Sequence, residues 1–105
     1  MTQSKSKRTP LTSLQRKFLR SKAHLLKPLV LVGNSGITEN VIESINTSLH
    51  VNELIKVRLR EPEDKKSMAE EIARLSKSQL CGLIGHTVIL FKKNLEKPQI
   101  QLPKA

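Results

Sequence analysis

The sequence predicts one mixed α/β domain of the α+β type, in the order helix, strand, helix, strand, helix, strand, strand. Segments with helical spacing of apolar residues alternate along the chain with short runs typical of strands. A Gly85-His86 pair separates the last two runs and suits the type II′ turn of a hairpin. Because 105 residues allow a single core, we expect a two-layer or three-layer mixed sheet with right-handed crossovers.

The two ends of the chain differ from its centre. Residues 1–10 are polar and basic and end in a proline, which predicts a basic flexible arm. The periodic segments lie within residues 11–94, which form the predicted domain. Residues 95–105 form a C-terminal tail, in which we expect Ile100 and Leu102 to dock weakly.

The first helix is predicted near residues 13–24. Thr12 and Gln15 match a capping box at its start. Its buried stripe is predicted to contain Leu14, Phe18, Leu19 and Ala23. Pro28 ends this segment, and the continuously apolar run of residues 29–32 predicts a short buried strand.

The second helix and second strand follow a glycine-containing loop. Thr38 is the predicted N-cap of the helix. The inward side chains of that helix are Val41, Ile42, Ile45 and Leu49. From Leu54 the apolar period changes to two, which predicts a strand with one wet face. Its inward side chains are Ile55, Val57 and Leu59, and its wet face consists of Lys56, Arg58 and Arg60.

The last helix and the hairpin complete the predicted fold. The segment of residues 61–64 breaks the second strand, and Ser67 with Glu70 offers a second capping box. The predicted inward side chains of the third helix are Met68, Ala69, Ile72, Ala73 and Leu75. Two strands near residues 80–84 and 87–92 flank the hairpin turn.

The charge distribution favours a polyanionic partner. The net charge is +10, and residues 1–27 carry eight Lys or Arg and no acid. An ordinary solvent-exposed face mixes charges of both signs, so this bias favours nucleic acid. The candidate cations on the first helix and after it are Arg16, Lys17, Arg20, Lys22 and Lys27. Lys56, Arg58 and Arg60 either contact RNA or protect a sheet edge from pairing.

The loop of Gly33, Asn34, Ser35 and Gly36 is a candidate phosphate contact. Glycine lets another backbone approach closely, and amides that lead into a helix N-terminus attract anions. By itself the spacing is better explained by a tight strand-to-helix turn. Glu39 would repel a phosphate, so flanking Lys22 or Lys27 would have to outweigh it. The basic surroundings favour RNA contact, since a G-x-x-G loop also clamps RNA in KH domains.

The sequence lacks the motifs of several function classes. His24, His50, His86 and Cys81 show no metal-ligand spacing. No P-loop, dinucleotide fingerprint or paired nucleophile and base is present, so we expect no cofactor and no enzyme, although a phosphate-cradling enzyme is the weaker alternative. Apolar runs are too short for a membrane span, and a single cysteine fits a cytoplasmic protein, with an organelle transit peptide as a minor alternative.

Aromatic side chains are scarce. Phe18 and Phe91 are the two aromatic residues besides histidine, and both fall in apolar patterns. Stacking platforms of the RRM type are therefore not expected. We expect recognition through phosphates, 2′-hydroxyls and RNA shape.

Taken together, several stretches resemble the CRM domain, named for chloroplast RNA splicing and ribosome maturation, in its stand-alone bacterial YhbY-type form. They are Leu14-Gln15-Arg16-Lys17, Leu19-Arg20, Ala23-His24, Lys27-Pro28, residues 33–39, residues 53–57, Ile84-Gly85 and residues 88–91. The resemblance implies a mixed four-stranded sheet packed with three helices, similar to the C-terminal domain of translation initiation factor three. It also implies RNA binding and, for stand-alone bacterial members, association with precursors of the large ribosomal subunit. His86 and Phe91 stand where many members have lysine and tyrosine.

The leading hypothesis is a cytoplasmic, non-enzymatic RNA-binding protein of large-subunit ribosomal RNA precursors, which acts without a cofactor. Another structured RNA, or an acidic protein partner met by an adaptor, is the alternative. No large apolar surface stripe is left over once the core is assigned, so we expect a monomer, and we expect no membrane partner.

Overall fold

The computed structural model describes residues 10–104, so nearly all of the predicted basic arm lies outside the described residues. The order of helices and strands confirms the prediction. The elements are α1 Ser13–Ala23, β1 Val30–Val32, α2 Glu39–Asn52, β2 Leu54–Leu59, α3 Lys65–Ser76, β3 Gln79–Ile84 and β4 Thr87–Phe91.

The four strands form one mixed sheet in the order β1-β2-β4-β3. β1 pairs with β2 in parallel, whereas β4 is antiparallel to both β2 and β3. β2 is therefore paired on both sides. The alternative in which its basic side chains protect a sheet edge is wrong, because β2 has no free edge.

Helices cover both faces of the sheet, which makes three layers. One core lies between the sheet and the α2–α3 pair, and it contains Ile45, Ile72 and the inward residues of β2. A smaller core lies under α1 on the other face, where Leu19 and Ala23 pack with Cys81, Ile89 and Phe91. Leu14 does not belong to this core, since its side chain is 53% exposed.

The helix N-caps show which helix starts could be predicted from neighbouring residues and which could not. Thr12 forms the predicted capping box with Gln15, and the Thr38 hydroxyl accepts from the Val41 amide. α3 begins earlier than predicted. Asp64, not Ser67, is its N-cap, and hydrogen bonds from the Ser67 amide and hydroxyl hold the pKa of the Asp64 carboxyl below its usual range. Near the end of this helix, Leu75 remains partly exposed.

β1 is an edge strand, so the apolar segment of residues 29–32 is buried on one face only. Val30 and Val32 face the larger core, whereas the alternate residues Leu29 and Leu31 are 55% and 54% exposed. The prediction of a fully buried strand is therefore wrong. Leu25, which follows α1, is also exposed, by 86%.

A buried carboxylate lies at the junction of α2 and β2. Glu53 is fully buried, and its φ of 63° ends the helix and turns the chain into the strand. Its Oε2 accepts from the Asn94 amide at 2.7 Å, and its Oε1 accepts from the amides of Gln99 and Ile100 at 2.7 and 2.8 Å. Three hydrogen bonds from main-chain amides thus satisfy the buried charge.

These bonds fix the C-terminal tail more firmly than the weak docking expected from its sequence. The tail crosses to the α1 side of the sheet, where Ile100 and Leu102 pack against the smaller core. The Gln15 side chain then donates to the Pro103 carbonyl at 2.9 Å. The tail therefore completes the core under α1.

Replacing Glu53 by Gln tests this arrangement. An amide can accept with one oxygen only, and its NH₂ group would face the Asn94 amide. We expect a loss of about 2 kcal/mol in the free energy of unfolding, measured by urea denaturation. Hydrogen exchange at the Asn94 amide, which loses its acceptor, should accelerate. The exposed Glu43→Gln variant is the control, and equal midpoints for both variants would contradict the assigned role.

Candidate nucleic-acid interface

The cations of α1 fall into two groups. Lys17 and Lys22 are exposed, and the Lys22 ammonium lies 5.5 Å from the centroid of the Phe18 ring. Arg20 and Lys22 also lie in the last turn, where positive charge complements the helix dipole. The lysines of α1 thus present their charge to solvent.

The two arginines of α1 are partly used by the fold. Arg16 donates from Nη1 to the Leu11 carbonyl at 2.6 Å and from Nη2 to the Ser13 hydroxyl at 3.2 Å. Arg20 reaches across to the sheet and donates from Nη1 to the Cys81 carbonyl at 2.8 Å. These contacts leave each guanidinium with further N–H groups for a ligand.

A β-bulge and a glycine make the position of Arg20 possible. The pairing of β3 with β4 shifts between Leu80 and Gly82, so that Cys81 is the extra residue. A Cβ atom on Gly82 would lie 2.6 Å from the Arg20 Cδ, so only glycine leaves room for this side chain. Burial raises the pKa of the Cys81 thiol to about 12, against the opposing effects of Arg20 and Arg16. The thiol is therefore neutral at physiological pH and is not a nucleophile.

The basic face of β2 lies on the same side of the sheet as α1. Ile55, Val57 and Leu59 point to the α2–α3 core, so the alternate side chains point the other way. Of these, Arg58 and Arg60 are exposed, and the Lys56 ammonium donates to the Leu26 carbonyl at 3.0 Å. Lys56 thereby holds the segment that joins α1 to β1.

The glycine loop is a tight turn between β1 and α2. The Gly36 amide donates to the Gly33 carbonyl at 3.0 Å, and Gly36 has a φ of 75°, which favours glycine. Asn34 and Ser35 are exposed. A Cβ atom on Gly33 or Gly36 would meet nothing within 4 Å, so no other part of the described chain crowds the loop.

Two amides near this loop are already occupied, which differs from the predicted row of free donors. The Gly36 amide closes the turn, and the Val41 amide bonds to the Thr38 hydroxyl. Glu39 is exposed in the first turn of α2, as the sequence suggested. The loop therefore favours close approach of a ligand to its main chain more than hydrogen bonding to free amides.

The parallel pairing of β1 with β2 determines which cation lies beside the loop. Val32, which directly precedes the loop, accepts from the Arg60 amide at 3.0 Å. Arg60, not Lys22, is thus the neighbour of the loop on the adjacent strand. Lys27 is exposed and precedes the opposite end of β1. The exposed cations therefore extend from α1 to the loop, by way of Lys27 and the β2 face.

Opposite charges do not neutralise this surface. The ion pair within the described residues joins Arg74 to Glu71 on α3. Among residues 10–104, no carboxylate lies within 4 Å of a cation of α1 or β2. The same residues contain no cluster of three His, Cys, Asp or Glu side chains that could hold a metal ion. None of their helices is long and apolar enough to cross a membrane.

Sequence reasoning left three features of this surface out. The alternation of β2 marks Arg60 as basic, but its position beside the loop was not predicted, because that position depends on strand pairing. The Cys81 bulge has no local sequence signal. Exposure of Leu29 and Leu31 follows from the edge position of β1, which a continuous apolar run does not reveal.

A three-layer domain with an unneutralised basic face and an open glycine loop has the electrostatic character of a nucleic-acid-binding protein. Its family is identified by comparison with known proteins. Residues 11–92 match the model of the CRS1 / YhbY (CRM) domain. The chain belongs to this family, which confirms the resemblance seen in its sequence.

Three similar proteins cover most of the chain. A Bacillus subtilis protein named "Probable RNA-binding protein YqeI" is 45% identical over 89% of this chain and 99% of its own. A Haemophilus influenzae protein named an RNA-binding protein is 37% identical over 91% of this chain and 98% of its own. The solution structure of a hypothetical Staphylococcus aureus protein has a TM-score of 0.78 and 37% identity, and covers 89% of this chain and 99% of its own. The two named relatives are described as RNA-binding proteins and not as enzymes, in agreement with the expected function class.

Gly82→Ala tests whether glycine is required at this position because the Arg20 side chain packs against it. The added methyl group would displace the guanidinium from the Cys81 carbonyl, and we expect a loss of roughly 1–3 kcal/mol in the free energy of unfolding. In an Arg20→Ala background the same change should cost much less, because the clash is absent. Equal losses in both backgrounds, measured by urea denaturation, would show that Gly82 serves another purpose.

Proposed function

We propose that this protein is a cytoplasmic, non-enzymatic RNA-binding protein that associates as a monomer with large-subunit ribosomal RNA precursors during assembly. RNA as the partner is supported by the family and by the names of its relatives. The ribosomal target is supported by the resemblance to stand-alone bacterial members. The absence of aromatic platforms fits a structured RNA, which is bound by its phosphates and its shape.

The observation that carries the proposal is the unneutralised cationic surface on one side of the sheet. Lys17 and Lys22 on α1, Arg58 on β2 and Arg60 directly after β2 are exposed, and none has a carboxylate within 4 Å in residues 10–104. Binding of a polyanion to such a surface releases condensed counterions, which supplies affinity without reading the bases. Arg16, Arg20 and Lys56 contribute further charge while they hold the surface in shape.

The glycine loop adds a point of close approach at one end of this surface. Because nothing lies within 4 Å of the Cβ positions of Gly33 and Gly36, an RNA backbone can reach the main chain there. Arg60, on the adjacent strand, supplies positive charge beside the loop and offsets Glu39. The loop would thus fix the position of the RNA along the basic face.

Sedimentation of tagged protein from a cell lysate tests the target. Migration with immature large-subunit particles at low salt, abolished at high salt, is the expected result. Protein that stays at the top of the gradient at low salt would contradict the ribosomal target. Saturable binding of an acidic protein instead of RNA would support the adaptor alternative.

Charge reversal on α1 tests the basic surface. Lys17→Glu with Lys22→Glu should weaken binding of ribosomal RNA by tenfold or more, and the slope of log K against log salt should fall by about 1 for each phosphate that the variant no longer neutralises. Both lysines are exposed, so the melting temperature should change little. Lys65→Glu with Lys66→Glu, at two exposed lysines of α3 on the opposite face of the sheet, is the matched control. Equal RNA affinities for the two variants would remove α1 from the interface.

Gly33→Ala tests the loop without a change of charge. Its methyl group meets no atom of the protein, and the φ of Gly33 lies outside the left-handed region, so stability should be retained. Affinity for ribosomal RNA should fall about threefold to tenfold, because the methyl group blocks the closest approach of the backbone. Wild-type affinity in filter binding would show that RNA does not approach Gly33.

A further inference from the structure

An exposed apolar strip lies on the basic side of the sheet. It is formed by Leu31 on the edge strand β1 and by Leu29, which directly precedes β1 and continues its alternation; their side chains are 54% and 55% exposed. α1 packs against β2, β3 and β4 on this side, so its main contacts leave the strip open. Two large aliphatic side chains held this way on a rigid strand indicate a surface that a ligand covers.

The strip is bordered by cations on the neighbouring strand. Leu31 is in register with Arg58, and the Leu29 amide donates to the Lys56 carbonyl at 3.0 Å. Because paired residues in a sheet project to the same face, each leucine lies beside a basic side chain. At its other end the strip leads into the glycine loop, with Leu31 two residues, or about 7 Å, before Gly33.

We propose that Leu29 and Leu31 form a platform for unpaired nucleobases of the bound RNA. The proposal rests on the proposed function and deepens it, because it names single-stranded RNA as the ligand of this part of the surface. The RNA backbone lies along Arg58 and the glycine loop, while one or two bases turn inward and pack their faces on the leucines. Aliphatic side chains thus take the place of the aromatic rings that this chain lacks.

Charge complementarity favours RNA over an apolar protein segment as the occupant. The chain contains no Asp or Glu from residue 10 to residue 38, and the β2 side chains beside the strip are Lys56 and Arg58. A second copy of this chain would bring the same positive charges to the contact, and they would repel each other. RNA supplies apolar base faces and negative phosphates in one molecule.

The test uses the full-length protein and two RNA probes of about twelve nucleotides, an oligoadenylate and a duplex, a length within the range of single-strand sites. Leu29→Ser with Leu31→Ser should weaken binding of the oligoadenylate about tenfold while the slope against log salt stays constant. Affinity for the duplex should not change, because its bases are stacked. Ile84→Ser, an exposed aliphatic residue on the opposite edge strand, is the matched control.

A second measurement needs no variant. Wild-type protein should bind an abasic ribose-phosphate strand of the same length about tenfold more weakly than the oligoadenylate. Equal affinity for these two strands, or an equal loss of duplex and oligoadenylate binding in the leucine variant, would overturn the platform. Unchanged RNA affinity with loss of self-association or of a bound protein would also overturn it. If the wild-type protein still binds RNA with a salt-dependent affinity in these cases, only the nucleobase platform is refuted and the proposed function stands. If it binds no RNA, the platform and the proposed function are both refuted.

Discussion

The rest of the structure depends on β2, which is paired along both edges and packed on both faces. This strand pairs with β1 and β4 and has a core on each face, with its inward residues against α2 and α3. A shift of one residue would bury Arg58 and expose Val57, so the register is strongly determined. Glu53 sets the starting point, because its positive φ ends α2 directly before the strand. The same alternation that builds the larger core therefore places the basic face beside α1.

Three basic side chains on that face also stabilise the fold. Arg20 bonds to the Cys81 carbonyl, Arg16 closes the start of α1, and Lys56 holds the α1–β1 connection. The charge of each remains next to the exposed cations. A loss of RNA affinity after substitution of Arg16 or Arg20 would therefore combine two effects, disturbed packing of α1 and a missing phosphate contact. Substitutions of the exposed Lys17 and Lys22 test the phosphate contact alone, because these side chains make no hydrogen bond to the sheet.

Local patterns predict most of this fold, since helical and strand periods differ and each cap needs only neighbouring residues. The α3 cap is hard to place from sequence because Asp64 with Ser67 and Ser67 with Glu70 are overlapping signals of the same kind. Exposure of Leu31, burial of Glu53 and the bulge at Cys81 depend on contacts between distant segments, which periodicity does not contain. For the same reason the candidate cations were predictable as a set, whereas the position of Arg60 beside the loop was not.

The unneutralised cations also have a consequence for the free protein. Like charges crowded on one face repel each other in the folded state, and dissolved ions screen that repulsion. Added salt should therefore make the unbound fold more resistant to heat while it weakens attachment to RNA. RNA in turn acts as a folding ligand, because a polyanion that binds only the native state shifts unfolding to higher temperature. The crowded positive charge thus limits the stability of the free domain, and a polyanion bound to it would relieve that limit.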